Sequence, residues 1–284
     1  MTLLFRYWDI YLFLEILKMK NDIYLTGFSG QIGTELRNIF FKKNIEITLL
    51  GRKEPLLNQN ERFIFFDLNK KFNSDSIGNE IILIHLAHDF KKYKSNVNFS
   101  GTKNLLSFFS NQPSTRFIFI STPHGDNPKM DSIYQSEKKV TENLFSKNDL
   151  ILMPSFIHSE KGRTNSLFKF IKKLRVPILI PKQVNDISPI KLSFFCEFLA
   201  KDENLLYLKG RYLLLGKRDL SFPLLLKDLY NLNSLKVPNF FFLLLIKVLS
   251  LIPSHRIFYI EERIKGLMNL PDLKKTKEKK ILIS

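Results

Sequence analysis

The stretch TGFSGQIG, residues 26–33, constrains the fold more than any other part of the chain, because it joins an apolar run to an amphipathic one. Residues 22–27 (DIYLTG) read as a buried strand, and residues 31–41 as a helix with Ile32, Leu36, Ile39 and Phe40 on one face. Gly27, Gly30 and Gly33 stand between them at GxxGxxG spacing. In such a unit the first glycine permits the tight turn, and the second lets backbone N–H groups approach a pyrophosphate. The third lets the helix press onto the strand, with the phosphate on the helix N-terminus. Taken alone, the pattern is equally that of an ordinary strand–turn–helix. The downstream sequence decides between the two.

Further strands are expected at 45–50, at 63–66 (ending at Asp67), at 81–86, at 117–120 and at 150–153 (stopping at Pro154). Helical patterns at 97–109 and 134–145 separate the later ones. Strands alternating with helices predict an α/β fold, a doubly wound parallel sheet with right-handed crossovers. Ligands of such sheets bind outside the carboxyl ends of the strands, so the residues past Thr26, Leu50, Phe66, Leu86 and Ile120 are candidates for a site. From about residue 155 the alternation weakens. Short strands are expected at 176–181 and 212–215, and helices at 193–201 and 221–230, with Ser221 as N-cap and Pro223 in the first turn. Three parts follow. Residues 1–18 form an N-terminal extension, 19–155 a nucleotide-binding domain, and 156–284 a smaller C-terminal substrate-binding region that partly returns to the sheet.

The net charge of +17 invites a nucleic-acid reading. The lysines are scattered, however, and no groove-reading helix or ribbon motif accompanies them, so a solvated basic surface is expected and no nucleic-acid partner. The compact basic run Lys274, Lys275, Lys277, Lys279 and Lys280 reads as a frayed terminus or a membrane-surface contact. Cys196, the single cysteine, excludes intrachain disulfides and a cysteine-rich zinc site; it suits a reducing cytoplasm and a place in the core. No metal site is expected. The apolar segment 239–252 would rise only ~21 Å as a helix, short of a ~30 Å hydrocarbon core. A buried helix is expected there, with peripheral membrane contact as the alternative.

Tyr134 and Lys138 form a YxxxK pair, which places both on one face of a helix. A phenol is a weak acid or base near neutrality, with an unperturbed pKa of about 10, and a neighbouring ammonium favours its ionised form. Such a pair can exchange a proton with a substrate hydroxyl or carbonyl while hydride moves to or from a nicotinamide. The strand at 117–120 ends in Ser121 and Thr122, hydroxyls that could hold the reacting oxygen against Tyr134. Each feature has a plainer reading, as a surface helix pair and as turn chemistry.

Taken together and in order, these motifs resemble the extended short-chain dehydrogenase/reductase superfamily, specifically the NAD-dependent epimerase/dehydratase family acting on nucleotide sugars. TGFSGQIG matches its glycine motif, and Phe66-Asp67-Leu68 the strand end that meets the adenine. Ile84-His85-Leu86-Ala87-His88 is similar to its HLAA strand, with His88 replacing an alanine, and NFSGTKNLL at 98–106 to its NxxGTxNLL helix. Ser121-Thr122 and YQSEK complete the set. The resemblance implies a Rossmann fold whose cofactor is held by Gly27, Phe28, Ser29, Gly30, Gln31, Ile32, Gly33, Arg52, Asp67, Leu68, Leu86, Ala87, His88, Tyr134, Lys138 and Pro154. It also implies catalysis by Thr122, Tyr134 and Lys138 with Ser121 beside them, and a role for Asn98 near the site. Pro154 matches the proline of the family's RPxxVYGP stretch, whereas SFIHS at 155–159 departs from it.

After the second strand comes Leu50-Gly51-Arg52-Lys53, without the acid that usually binds the adenosine ribose of NAD. Arg52 is suited to a 2′-phosphate, so NADP(H) is expected over NAD(H). Sugar 4,6-dehydratases carry an acidic pair after the threonine; Pro123-His124 argues against that reaction. His88, His124 and His158 are further acid/base candidates, although a loop or core place is the stronger reading of each. The expected protein is a cytoplasmic oxidoreductase or epimerase, a homodimer acting on a nucleotide- or lipid-activated sugar for polysaccharide biosynthesis, with hydride transfer at a sugar carbon, C4 foremost. The alternative is a non-catalytic NADP(H)-binding sensor or assembly subunit on the same fold.

Overall fold

Parallel strands covered on both faces need apolar side chains on both, and β1 (Asp22–Thr26) has residues 23–26 all buried. The computed structural model describes residues 22–242, apart from 75–76, 79, 91–95, 113, 125–131, 161–164, 166–167, 170–171, 174, 176 and 183, together with 244, 266, 270–273 and 275–283. The expected extension at 1–18 lies outside the described residues, as does most of the apolar segment 239–252.

After β1 come α1 (Gln31–Lys42), β2 (Ile47–Gly51), β3 (Glu61–Phe65), β4 (Glu80–His85), α2 (Val97–Phe109), β5 (Ser114–Ile120), α3 (Ile133–Glu142) and β6 (Leu150–Pro154). The second half contributes β7 (Phe156–His158), β8 (Ile178–Pro181), β9 (Pro189–Lys191), α4 (Leu192–Leu199), α5 (Asp202–Leu206), β10 (Gly210–Leu215), α6 (Phe222–Tyr230), β11 (Ser234–Val237) and β12 (Lys279–Leu282). Eight strands form one sheet in the order β12-β10-β6-β5-β4-β1-β2-β3, every pair parallel. The order reverses at β1, which has β2 on one side and β4 on the other. The crevice past the ends of β1 and β4 is therefore the topological switch point, where doubly wound sheets bind ligands.

Strand alternation divides the core into two layers. Ile23 and Leu25 of β1 join Ile82 and Ile84 of β4 against α1 and α4, while Tyr24, Ile81 and Leu83 join Leu105 and Phe109 of α2 on the other face. Cys196 is fully buried within α4, as expected of a core residue. Where boundaries differ from the apolar pattern, polar residues set them. β3 begins at Glu61, whose buried carboxylate takes two hydrogen bonds from Arg37 of α1 at 2.7 and 2.6 Å. α3 begins at Ile133 because Ser132 and Gln135 form a reciprocal capping box.

The end of the basic tail is a strand and not a frayed terminus. Lys279 and Lys280 open β12, which pairs with β10 at the sheet edge, while Ile281 packs on the core and Ile283 is buried. Alternate apolar residues and an open edge of backbone donors and acceptors outweigh the local charge. The rest of the C-terminal half builds two small parallel pairs, β7 with β9 and β8 with β11, over a separate cluster of Ile180, Ile187, Phe222, Leu225, Leu226 and Leu232. The buried Ser188 hydroxyl donates to the Gly216 carbonyl just past β10, at 2.9 Å, and ties this region to the sheet. No helix among the described residues is long and apolar enough to cross a membrane.

Candidate active site

The turn after β1 is built so closely that two of its glycines admit no side chain. Gly27 has φ +67°, and a Cβ there would lie 2.7 Å from the Leu86 carbonyl carbon and 2.8 Å from the Ala87 nitrogen. At Gly33 a Cβ would lie 2.5 Å from both the Gly27 oxygen and the Phe28 Cα. Gly30 differs: it is exposed, it is the N-cap of α1 without a side-chain cap, and its Cβ would meet only the Gly27 oxygen, at 3.2 Å. Exposed Ser29 and Gln31 flank it. The result is a backbone cradle at a helix N-terminus, whose shape and donors fit a pyrophosphate. Phe28 lends it only backbone. Its ring is buried, edge-on to Phe63 at 6.3 Å. Ile32 is half-buried against the core. Arg52 is exposed past β2, and Asp67 follows β3. Hydrogen bonds from Asn69, with the charges of Arg52 and Lys70, hold the Asp67 carboxyl below its usual range, and Leu68 lies half-buried beside it.

A buried relay, not foreseen from the sequence, fixes the far wall of the crevice. The backbone N–H groups of Leu86 and Ala87 each donate to Thr26 Oγ1 at 3.0 Å. Thr102 Oγ1 donates to the Asn98 carbonyl at 2.6 Å, so at 2.9 Å it accepts from His85 Nε2. His85 Nδ1 is then the acceptor for the Thr26 hydroxyl at 2.9 Å. Full burial, helped by the charge of Lys138, presses the His85 pKa down to about 3, which keeps the ring neutral in this one tautomer. Partners this far apart in sequence leave no local pattern; only the presence of His85 within the HLAA-like string hinted at it.

Asn98 holds the segment after β4. Its Oδ1 accepts from the Asp89 N–H at 2.7 Å, and its Nδ2 donates to Glu137 of α3 at 2.8 Å. His88 Nε2 lies 3.3 Å from the same Glu137 oxygen. The Tyr134 ring stands edge-on to His88 at 4.9 Å and stacks on Phe90 at 5.6 Å. Burial, then the charges of Lys138 and His85, take the His88 pKa down to about 2. His88 is therefore a neutral wall for Tyr134 and not a proton carrier near neutrality.

Lys138 is buried beneath Tyr134, one helical turn on. Its Nζ donates to the Ile120 carbonyl at 2.7 Å, sits 4.4 Å over the Phe119 ring and lies 5.9 Å from the Tyr134 ring centroid. Thus the YxxxK face does meet the carboxyl end of β5, where Thr122 is half-buried. Ser121 turns to a different partner. Its hydroxyl donates to the buried Glu142, which also takes His124 Nε2 at 2.9 Å and Arg211 of β10 at 2.6 Å. Burial alone would raise the Glu142 pKa, but the bonds from His124 and Ser121 and the charges of His124 and Arg211 hold it down.

Burial lowers the Lys138 pKa from 10.5 to about 7, against the pull of Glu142 and Glu137. Between those values the unfolded chain holds the proton and the folded chain does not, so raising the pH through this window favours folding. Lys138→Met should therefore flatten the rise of the melting temperature between pH 7 and pH 9 relative to wild type. Parallel curves for the two proteins would show that Lys138 does not titrate there.

Residues 23–148 match the NAD dependent epimerase/dehydratase family. Over that span the sequence carries the pattern of this family. The match takes in the glycine cradle, Thr122, Tyr134 and Lys138. The fold is shared with solved structures of low identity. A nucleoside-diphosphate-sugar epimerase from Staphylococcus aureus superposes with a TM-score of 0.61 at 14% identity, over 91% of its chain and 87% of this one. The UDP-glucose 4-epimerase of Thermus thermophilus, in complex with NAD, gives 0.55 at 16%, over 86% and 76%. The Bordetella bronchiseptica enzyme WbmG, with NAD and UDP, gives 0.57 at 13%, over 80% and 76%. A comparison with curated protein sequences finds no match. Outside the family span, Pro154 closes β6, half-buried and paired with Leu214 of β10. The Gln31 amide, at the mouth of the cradle, donates to Ser159 just past β7. His158 is half-buried, its pKa lowered by burial and by Lys191.

Proposed function

We propose that the protein is a member of the epimerase/dehydratase family and an NAD(P)-dependent oxidoreductase or epimerase acting on a nucleotide- or lipid-activated sugar. The observation that carries the reading is the buried Lys138 ammonium, which joins the carbonyl of Ile120 at the end of β5 to the ring of Tyr134. A protein that only binds a nucleotide has no need of an acid/base such as Tyr134 set over a buried lysine. Gly27–Gly33, Arg52, Asp67, residues 86–88, Lys138 and Pro154 would hold the cofactor, which when bound supplies or accepts the hydride. Thr122 would orient the reacting sugar oxygen, at C4 by preference, and Tyr134 would give or take its proton. The presence of UDP in the Bordetella structure supports a nucleotide-linked substrate.

Arg52, with no acid beside it at the end of β2, favours NADP(H). A fluorescence titration of the purified protein with NADPH and NADH tests this, preceded by release of any cofactor carried through purification. Wild type should bind NADPH more tightly. Arg52→Ala should weaken NADPH about ten-fold and leave NADH within about two-fold, the loss of one charge-assisted contact. Equal losses for both nucleotides would remove Arg52 from phosphate recognition. Retained NAD would favour epimerisation, and binding of neither nucleotide would defeat the enzyme reading.

A further inference from the structure

Large apolar side chains stand in solvent along one small ribbon of the C-terminal half. Leu179 of β8 and Leu235 of β11 are register partners, so they lie side by side on one face. Ile180, the next residue of β8, turns the other way and is buried with Ile187, Phe222 and Leu225. The leucine face is therefore the outer one, and Leu235 is 54% exposed. Just past β11 the chain turns helical. The Phe242 N–H donates to the Pro238 carbonyl at 3.1 Å, and the Phe242 side chain is buried. That anchor leaves Phe240 and Phe241 outside, 73% and 63% exposed, with Leu244 exposed one turn on from Phe240. Single exposed leucines need no explanation, but two adjacent phenylalanines beside a leucine pair do.

Charge decides what this face fits. Residues 161–185 and 229–260 contain lysines and arginines but no aspartate or glutamate. Among them, exposed Lys172, Lys173 and Arg175 precede β8, and exposed Lys236 follows Leu235. Lys182, also exposed, gives its backbone N–H to the Val237 carbonyl at 3.0 Å, which puts it at the root of the phenylalanine turn. A second copy of the chain would set these cations against their own kind, in a protein of net charge +17. A nucleic acid would take the cations and leave the leucines without an apolar partner. An anionic lipid surface satisfies both, since acyl chains receive the apolar groups while long basic stems reach the headgroups. The apolar sequence 239–252 would rise only ~21 Å as a helix, a length that suits lying in the interface and not crossing the bilayer.

We infer that the outer face of β8 and β11, with Phe240 and Phe241, docks on an anionic membrane surface. The inference goes beyond the reaction proposed above and stands whichever sugar is the substrate.

Cosedimentation of the full chain with vesicles tests it, using phosphatidylcholine alone and phosphatidylcholine mixed with phosphatidylglycerol, each at low and high salt. Wild type should bind the anionic vesicles at least about ten-fold more tightly than the neutral ones, and salt should weaken the binding. Phe240→Ser combined with Phe241→Ser should lower the affinity for anionic vesicles about ten-fold or more. Lys182→Gln combined with Lys236→Gln should lower it about ten-fold. Lys42→Gln combined with Lys209→Gln removes the same charge where the chain enters β2 and β10, and should change the affinity by less than about two-fold. All three variants should melt close to wild type, since every altered side chain is exposed. Equal losses in the two lysine pairs would reduce the binding to bulk charge and overturn the inference. Wild-type vesicle affinity in the serine variant would also overturn it, and a lower melting temperature beside that result would mean that the chain itself covers this face. Lipid-free dimers that the serines dissociate would give the face to a second copy. An oligonucleotide bound where vesicles are not would give it to nucleic acid, and either result overturns the docking.

Discussion

Phenylalanine at position 134 should lower turnover by about 10²- to 10⁴-fold while the affinities for NADPH and NADH stay close to wild type. The substitution removes one oxygen and keeps the ring, so the stacking on Phe90 and the edge contact with His88 persist. The fold should therefore be indifferent to it, and the melting temperature should move little. That separation of effects comes from the architecture. The glycine cradle proposed for the cofactor is made by backbone at the end of β1, whereas the phenol comes from α3, so removing the hydroxyl does not disturb the cradle. Steady-state turnover of a sugar nucleotide, set beside the nucleotide titration, measures both. Turnover near wild type would take Tyr134 out of the proton transfer and return the chain to the non-catalytic reading. A parallel loss of cofactor binding would mean that the phenol serves the cofactor and not the substrate.

The parts of this molecule that could be read in advance are those whose cause is local. Strands β1, β4 and β6 are buried on both faces and so appear as unbroken apolar runs. Tyr134 and Lys138 were visible because helical spacing alone puts them on one face. What escaped notice was set by partners distant in sequence. Glu61 reads as a loop charge until Arg37 is brought against it, and Lys279 and Lys280 read as a tail until the edge of β10 is there to pair with them. The same holds within the site. Ser121 and Thr122 are chemically alike and adjacent, and only the approach of Glu142 from the end of α3 tells them apart. His85 differs from a generic core histidine only through the tautomer that Thr26 and Thr102 impose, and His124 from a loop histidine through its bond to Glu142.

The three glycines that identify the cradle should respond to alanine in different ways. At Gly33, alanine brings the usual helical gain of up to ~1 kcal/mol. Against this stands a Cβ placed 2.5 Å from the Gly27 oxygen, 2.5 Å from the Phe28 Cα and 2.9 Å from the Phe28 carbonyl carbon. All three are backbone atoms of a turn already fixed by Gly27 and the Thr26 relay, so they cannot yield as a flexible side chain would. Overpacking of this kind costs about 1–3 kcal/mol and wins over propensity. Gly33→Ala should therefore melt several degrees lower and bind nucleotide poorly, because α1 is pushed off the turn that aims its first amides. At Gly30 the close contact among the described residues is 3.2 Å and φ is an ordinary −76°, so the main cost of alanine is that of a poorer N-cap residue, about 1 kcal/mol. Gly30→Ala should lower the melting temperature less than Gly33→Ala does and still lose about ten-fold or more in NADPH affinity, since the new methyl group stands on the exposed lip of the cradle. Thermal melts and nucleotide titrations of the two variants decide the matter. If Gly30→Ala binds NADPH as wild type does, the pyrophosphate does not lie against this turn, and the glycine spacing reports only how tightly a helix and a strand are packed.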